Sequence, residues 1–244
     1  MLQLAEEDAR VVAGAAVGSL ADGSGDRFSD LDLTFGIADG VPVADVLDGW
    51  TSTLTEELDA VQLADLEAGP TIYRVFLLPD ALQFDLSMTS ATGFRPAGPR
   101  FQLLFGETAA DEPEAGRRSQ GGLFIPTPSV AGDIFGWAVI YALHARACIE
   151  RGRVWQAEHY VGAVRDHALS LACLQRGLPA VQARGYDQLP TETLAGFDRT
   201  HVGSAEPAAL RRALAASVLA LLNQGGEADL PDVDVVAERL AELH

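Results

Sequence analysis

The sequence predicts an α+β domain built on a mixed sheet, followed by an all-α helical bundle. Roughly the first hundred residues carry short apolar runs of strand length, with one stretch of helical periodicity among them. A stretch rich in proline, glycine and charge, residues 90–120, then interrupts the pattern, and the remainder has helical spacing throughout. We therefore expect a sheet-containing domain over residues 1–107, a linker over 108–128 that carries Arg117 and Arg118, and a helical domain over 129–244.

Apolar runs and two-residue alternation predict the elements of the first domain. Residues 2–10 are typical of a short exposed helix, and residues 43–58 have helical spacing with Trp50 on the apolar side. The expected strands are residues 11–17, 31–35, 60–66, 72–78, 82–88 and 101–105.

Apolar residues three and four apart predict the helices of the second domain, and four or five helices of this length would form a bundle. Cys148 and Cys173 fall within them, away from any cluster of histidine and cysteine, so we expect buried free thiols. The expected helices are residues 130–151, 155–176, one beginning near Thr191, 207–223 closing at Gly225 and Gly226, and 232–243.

The most informative stretch follows the first strand. Gly18 and Ser19 open a polar, glycine-rich loop, residues 20–29, and the second strand then carries Asp30 and Asp32. Two-residue alternation sends both carboxylates to one face of the strand. Adjacent like charges repel, so we expect a cation between them, and Mg²⁺ is the usual ion where phosphates complete the shell.

A third carboxylate lies on the strand predicted over residues 82–88. Asp85 shares one face with Gln83 and Ser87, whereas the alternate residues are apolar. On an adjacent strand, this face would bring Asp85 to Asp30 and Asp32, and the three would form one metal site.

These parts, in this order, resemble the signature of the DNA polymerase beta-like nucleotidyltransferases, and among them the antibiotic nucleotidyltransferases. The resemblance implies a Mg²⁺-dependent enzyme that uses ATP or another nucleoside triphosphate, with the metal on Asp30, Asp32 and Asp85. The loop after the first strand would hold the phosphates through Gly18 and Ser19, whose backbone can approach closely. Arg27 is the loop's one cation and is a further candidate for phosphate contact.

The layout of a sheet domain followed by helices is similar to that of the kanamycin, streptomycin and lincosamide nucleotidyltransferases. In the kanamycin-type enzymes the base is a glutamate of the helical domain, with a lysine one turn along the same helix. Glu158 is the matching candidate for the general base, and Arg165 is the substitute for the lysine, since this chain has none. The alternative for this pair is an exposed, solvated helix face, and Asp85 is the other candidate for the base.

Charge narrows the classes of partner. The chain has 17 basic and 35 acidic residues, a formal net charge of −18, and every basic residue is an arginine. A Walker P-loop, a Schiff-base enzyme and a lysine-adenylate ligase all need lysine, so these classes are excluded. Strong acidity argues against nucleic acid as a partner and favours a cationic small molecule, unless it serves only solubility or reflects codon bias.

The sequence thus predicts transfer of a nucleoside monophosphate, AMP from ATP first, to a hydroxyl of a small molecule such as an aminoglycoside or lincosamide, with release of pyrophosphate. The alternatives are an antitoxin-like enzyme that modifies a protein and an inactive nucleotide-binding protein. The first residues lack a signal-peptide pattern and no apolar run is long enough to span a membrane. We therefore expect a soluble cytoplasmic protein without a membrane partner, and a homodimer is possible.

Overall fold

The computed structural model describes residues 1–96, 100–109 and 130–243, apart from the side chain of Glu242. These residues divide into two compact units. One holds the residues up to Ala109 except Pro79–Ala81, and the other holds those from Val130 onward together with Pro79–Ala81. Most of the linker predicted over residues 108–128, including Arg117 and Arg118, lies outside the described residues.

The first unit is a six-stranded mixed sheet with helices, as the sequence predicts. The strand order is β3-β4-β5-β2-β1-β6, and β2 and β5 are parallel neighbours in the middle of the sheet, whereas the other pairs are antiparallel. The elements are α1 (Leu2–Glu7), β1 (Val11–Val17), α2 (Gly18–Asp22), β2 (Leu31–Ile37), α3 (Val43–Leu58), β3 (Val61–Ala68), β4 (Thr71–Leu78), β5 (Leu82–Ser90) and β6 (Phe101–Phe105).

Helix α3 contributes to the main core of the first unit. Its buried residues recur at helical spacing, and the ring of Trp50 meets the ring of Phe35 edge to face at 5.0 Å. Trp50 is 2% exposed, as predicted, and its indole N–H donates to Asp8 at 2.9 Å. From β2 and β5, this cluster takes the alternate apolar residues Leu31, Leu33, Phe35, Ile37, Phe84, Leu86 and Met88.

The other face of β2 and β5 therefore carries the polar residues of these strands, because successive side chains point to opposite faces. At one end of this face Phe94 packs with Ala13, Ala15 and Phe101 in a second small cluster. At the other end lie the predicted metal ligands. The alternation of apolar and polar residues thus gives these strands one apolar face, which packs with α3, and one polar face, which carries the three aspartates.

The second unit is helical, which agrees with the predicted class. Helices α4, α5 and α7 contact one another in pairs and supply most of its buried side chains. Cys148 and Cys173 are buried free thiols, as predicted. The helices are α4 (Ala131–Glu150), α5 (Val154–Gln175), α6 (Thr191–Ala195), α7 (Pro207–Glu227) and α8 (Val233–Arg239).

The described part of this unit has five helices, within the predicted number, but two of them are shorter than predicted. Among the described residues only α4, α5 and α7 are long, while α6 spans five residues and α8 seven. The segment after α5 is instead built of short turns. One of them, Val181–Ala183, contains Gln182 and Ala183 at φ 57° and 59°, and an α-helix cannot continue through such positive angles.

Two glycines were expected to end α7, but the helix passes through both and ends at Glu227. Gly225 is buried, and a Cβ atom there would lie 2.7 Å from Cε2 of Phe135 on α4. The glycine therefore permits close packing of two helices rather than terminating one.

Two local predictions near the acidic motif also differ. The polar loop was expected to follow Ser19, but the chain first makes one helical turn, α2, which ends where Gly23 takes a left-handed conformation at φ 66°. Asp22, the last residue of α2, accepts the backbone N–H of Ser24 at 3.0 Å, and this bond fixes the exit from the turn. Asp30 lies immediately before β2 rather than on it.

Among residues 1–96, 100–109 and 130–243, no helix combines the length and the apolarity that crossing a bilayer requires.

Candidate metal centre

Three aspartates come together on the polar face of the sheet. Asp30, Asp32 and Asp85 each offer one carboxylate oxygen, and these oxygens all lie within 4.8 Å of one another. All three side chains are half-buried. The structure therefore brings together the three residues that the sequence predicts as metal ligands.

The strand register explains this meeting. Asp32 and Asp85 are direct partners in the parallel ladder between β2 and β5. Partners in a ladder point to the same face, so their carboxylates meet once Leu33 and Leu86 are buried on the opposite side. Asp30 lies two residues before Asp32, at the start of the strand, and adds the third carboxylate at the same end.

Burial and the nearby like charges raise the pKa values of two of these acids. Burial, and then the nearby charges of Asp30 and Asp85, raise the pKa of Asp32 from 3.8 to about 7. The pKa of Asp85 also rises to about 7, chiefly because the carboxyl is buried, while the N–H of Gln83 opposes the shift and the charge of Asp30 adds to it. Among the described residues, no arginine or histidine forms an ion pair with these three carboxylates.

This arrangement fits a hard divalent cation. The donors are carboxylate oxygens, which Mg²⁺ and Mn²⁺ prefer, and within the described part of the chain no arginine or histidine pairs with them. A bound cation would stabilise the ionised form of each acid and so lower the two pKa values that burial and like charges raise. Asp30, Asp32 and Asp85 are therefore the residues that would hold it.

These pKa values predict how cation binding depends on pH. Below about pH 7 Asp32 and Asp85 hold protons, which a cation must displace, and above it they are ionised. We expect the apparent Kd for Mn²⁺ to fall by about 10-fold between pH 6 and pH 8 if one proton is displaced, and by about 100-fold if two are. Titration followed by the electron paramagnetic resonance of free Mn²⁺ measures this, and a Kd that does not vary with pH would contradict it.

The same shifts give the pH dependence of the metal-free fold. Between pH 4 and pH 7 the folded chain binds more protons than the unfolded chain, since both folded pKa values lie above 3.8. Stability conferred by the protonated acids is therefore lost as the pH rises through 7, and bound cation should restore it.

Gly18 lies against Asp32. It has φ 60°, and a Cβ atom at this position would lie 2.6 Å from Oδ2 of Asp32. Its N–H donates to the carbonyl oxygen of Arg100, just before β6, at 3.2 Å. The glycine therefore satisfies two requirements, a left-handed backbone and room for the carboxylate.

We expect Gly18→Ala to weaken Mn²⁺ binding at least about tenfold, because the carboxylate of Asp32 must move away from the new methyl group. Gly23→Ala is the matched control, because Gly23 has φ 66° but nothing within 4 Å of the new Cβ atom. Both variants should lose about 1 kcal/mol of stability to the strained backbone, and only Gly18→Ala should lose affinity. Equal Mn²⁺ affinity in the two variants would show that Gly18 does not protect Asp32.

The loop that follows α2 is held by its own side chains. Asp26 accepts the backbone N–H of Phe28 at 2.9 Å, and the Ser29 hydroxyl accepts the N–H of Asp26 at 2.9 Å. Ser19 is half-buried, with its hydroxyl 3.5 Å from the position that a Cβ atom would take on Gly25. Arg27 is exposed, and its guanidinium lies over the ring of Phe28, 4.6 Å from the centroid.

The two candidates of the helical unit are on α5. Glu158 is exposed, whereas Arg165 is half-buried and donates to the neighbouring Asp166 through Nε at 3.0 Å. A second contact, Arg165 Nη2 to Asp166 Oδ1, is 2.9 Å. Their roles as base and phosphate ligand stay predictions.

One residue of the site was not predicted to act in it. Gln83 is 6% exposed, and its amide N–H donates to Oδ1 of Asp85 at 2.9 Å. Two-residue alternation places Gln83 on the same face as Asp85, and this is the signal in the sequence that could have identified it.

Comparison with known proteins finds a similar solved structure and no matching family. No family model matches the chain, and neither does any curated protein. A crystal structure of an aminoglycoside 6-adenyltransferase from Bacillus subtilis is similar over 98% of this chain and 88% of that chain, with 13% identity and a TM-score of 0.31.

Proposed function

We propose that the protein is a nucleotidyltransferase that moves a nucleoside monophosphate from a nucleoside triphosphate, ATP first, to a hydroxyl group of a small molecule. The observation that carries the proposal is the convergence of Asp30, Asp32 and Asp85 within 4.8 Å beside the turn at Gly18. Three converging carboxylates next to a glycine turn are what a triphosphate with a divalent cation requires.

Each part of the site has a task in this reaction. Asp30, Asp32 and Asp85 would hold Mg²⁺, which when bound offsets charge on the triphosphate and on the departing pyrophosphate. Gly18 and Ser19 lie at the start of α2, where the backbone can approach a phosphate closely. Arg27, in the loop after α2, and Arg165, on α5, are the cations proposed to contact phosphate oxygens.

In the proposed step the hydroxyl oxygen of the acceptor forms a bond to the α-phosphorus. The bond from the α-phosphorus to the oxygen bridging to the β-phosphate breaks, and pyrophosphate leaves with the electron pair. The hydroxyl proton passes to Asp85 or to Glu158, the two candidates for the base.

The acceptor is proposed to be cationic, as an aminoglycoside is. The net charge of −18 would draw such a molecule toward the protein, although charge alone does not select one acceptor. We propose that the sheet unit carries the nucleotide and the metal, and that the helical unit binds the acceptor.

Pyrophosphate release tests the proposal. The protein is incubated with Mg²⁺, each of ATP, GTP, CTP and UTP, and a panel of aminoglycosides and lincosamides, with Asp32→Asn as the blank. Release that needs one acceptor and disappears in the blank would support the reaction and identify both substrates. Glu158→Gln, assayed with the same pair, tests the base: lost turnover would assign that task to Glu158, and retained turnover would leave it to Asp85.

If no combination in the panel releases pyrophosphate, the binding of Mg²⁺ and ATP decides between two interpretations. If Mg²⁺ and ATP still bind to the wild type and not to Asp32→Asn, the site stands and the acceptor is a protein or a molecule outside the panel. If neither the wild type nor Asp32→Asn binds Mg²⁺ and ATP, the proposed function is wrong.

A further inference from the structure

The Gln83 side chain makes a single hydrogen bond within the described residues. Its amide nitrogen donates to Asp85, but its amide oxygen, Oε1, is buried without a hydrogen-bond partner among the described residues. The side chain as a whole is 94% buried, since only 6% is exposed. A buried amide oxygen without a partner is unfavourable, so its presence needs a reason.

The neighbouring carboxylate determines which way the amide faces. Oδ1 of ionised Asp85 can only accept a hydrogen bond, so the nitrogen of Gln83 must be the atom that faces it, at 2.9 Å. This contact occupies one of the acceptor positions of the Asp85 carboxylate. It also directs the oxygen of Gln83 away from Asp85.

The register places Gln83 beside the metal ligands rather than apart from them. Phe84 is the ladder partner of Leu31, so Gln83 and Asp30, which precede these two residues, lie at the same end of the parallel pair. On β5, Gln83 lies two residues before Asp85, and therefore on the same face of the sheet as the pair formed by Asp32 and Asp85.

We propose that Gln83 is a positioning residue of the metal centre, which orients Asp85 through its amide nitrogen and accepts a hydrogen bond from a cation-bound water or the acceptor hydroxyl through Oε1. The inference deepens the proposed function and depends on it. The cation-bound water and the acceptor hydroxyl are both O–H donors. The experiment distinguishes them because Mn²⁺ is added both with and without the nucleotide and the acceptor.

The test measures the Kd for Mn²⁺ by the electron paramagnetic resonance of the free ion. Gln83→Met keeps an unbranched side chain of similar length but loses both polar atoms, and we expect it to weaken Mn²⁺ binding about tenfold. Gln83→Asn, which retracts the amide by one methylene, should weaken binding likewise and serves if the first variant does not fold.

Thr89→Val is the matched control. Thr89 is on the same strand, is 4% exposed and also has a hydroxyl oxygen without a partner in the described part of the chain. It lies four residues beyond Asp85, about 13 Å along the strand, so its variant should bind Mn²⁺ as the wild type does.

The outcomes separate the inference from the function. Weaker Mn²⁺ binding without substrates would support a role at the cation, through the orientation of Asp85 or through a cation-bound water, whereas unchanged Mn²⁺ binding with a raised KM for the acceptor would support contact with the hydroxyl alone. If wild type and Gln83→Met agree in Kd, KM and kcat, the inference is wrong while the proposed function stands. If Asp32→Asn binds Mn²⁺ as tightly as the wild type does, the proposed function itself is wrong.

Discussion

Asp32→Asn should lower kcat for the proposed nucleotidyl transfer by at least about 10³-fold, because it removes one of the charges that would hold the cation against the triphosphate. The same change should stabilise the metal-free protein at pH 8, where the pKa of about 7 means that Asp32 is otherwise ionised among like charges. After a discount for its partial exposure, the gain is of order 1–3 kcal/mol. Thermal unfolding without metal should therefore show a Tm several degrees above that of the wild type.

Asp39→Asn is the control for this experiment. Asp39 is exposed in the turn after β2, so the same chemical change there should alter neither kcat nor Tm. Retained turnover in Asp32→Asn would disprove the mechanism. An unchanged Tm at pH 8 would show instead that the three carboxylates do not repel one another as their geometry implies.

Arg74→Met should destabilise the first unit by about 2 kcal/mol, because it removes the buried donor of several charged hydrogen bonds, although its partners Asp48 and Asp65 are 67% and 36% exposed. Arg74 is 9% exposed and donates to both oxygens of Asp65, its ladder partner on β3, at 2.8 and 2.6 Å. Nη1 also donates to Asp48 at 2.9 Å and to Thr51 at 2.8 Å, both on α3. One side chain thus ties a hairpin to the helix that covers the sheet.

Urea unfolding measures this loss, and Arg211→Met is the comparison. Arg211 donates to Glu150 at 2.9 Å, but its side chain is 53% exposed, so its removal should cost less than about 1 kcal/mol. Equal losses in the two variants would show that burial does not strengthen the Arg74 network.

The sequence was sufficient for those parts of the fold that depend on local periodicity. Strands β1 and β6 and helix α3 have the predicted limits, because apolar alternation and helical spacing are properties of a short stretch of chain. The acidic site was predictable for the same reason. Asp32 and Asp85 occupy equivalent places in strands with one apolar face, so burial of that face brings the carboxylates together.

What the sequence did not predict depends on contacts between distant residues. Gly225 has the sequence signature of a helix end, and only the ring of Phe135 against it explains why the helix continues. The network of Arg74 likewise requires α3 to place Asp48 over the hairpin. The role of Gln83 is visible only when its amide oxygen is found buried without a partner in the described residues.

The parallel pairing of β2 with β5 also bears on the order of events during synthesis. Asp30 and Asp32 leave the ribosome well before Asp85, and α3, β3 and β4 must emerge between them. Pairing across so long a stretch is a late, non-local step of folding. In a nascent chain the three carboxylates therefore cannot meet until β5 has docked beside β2.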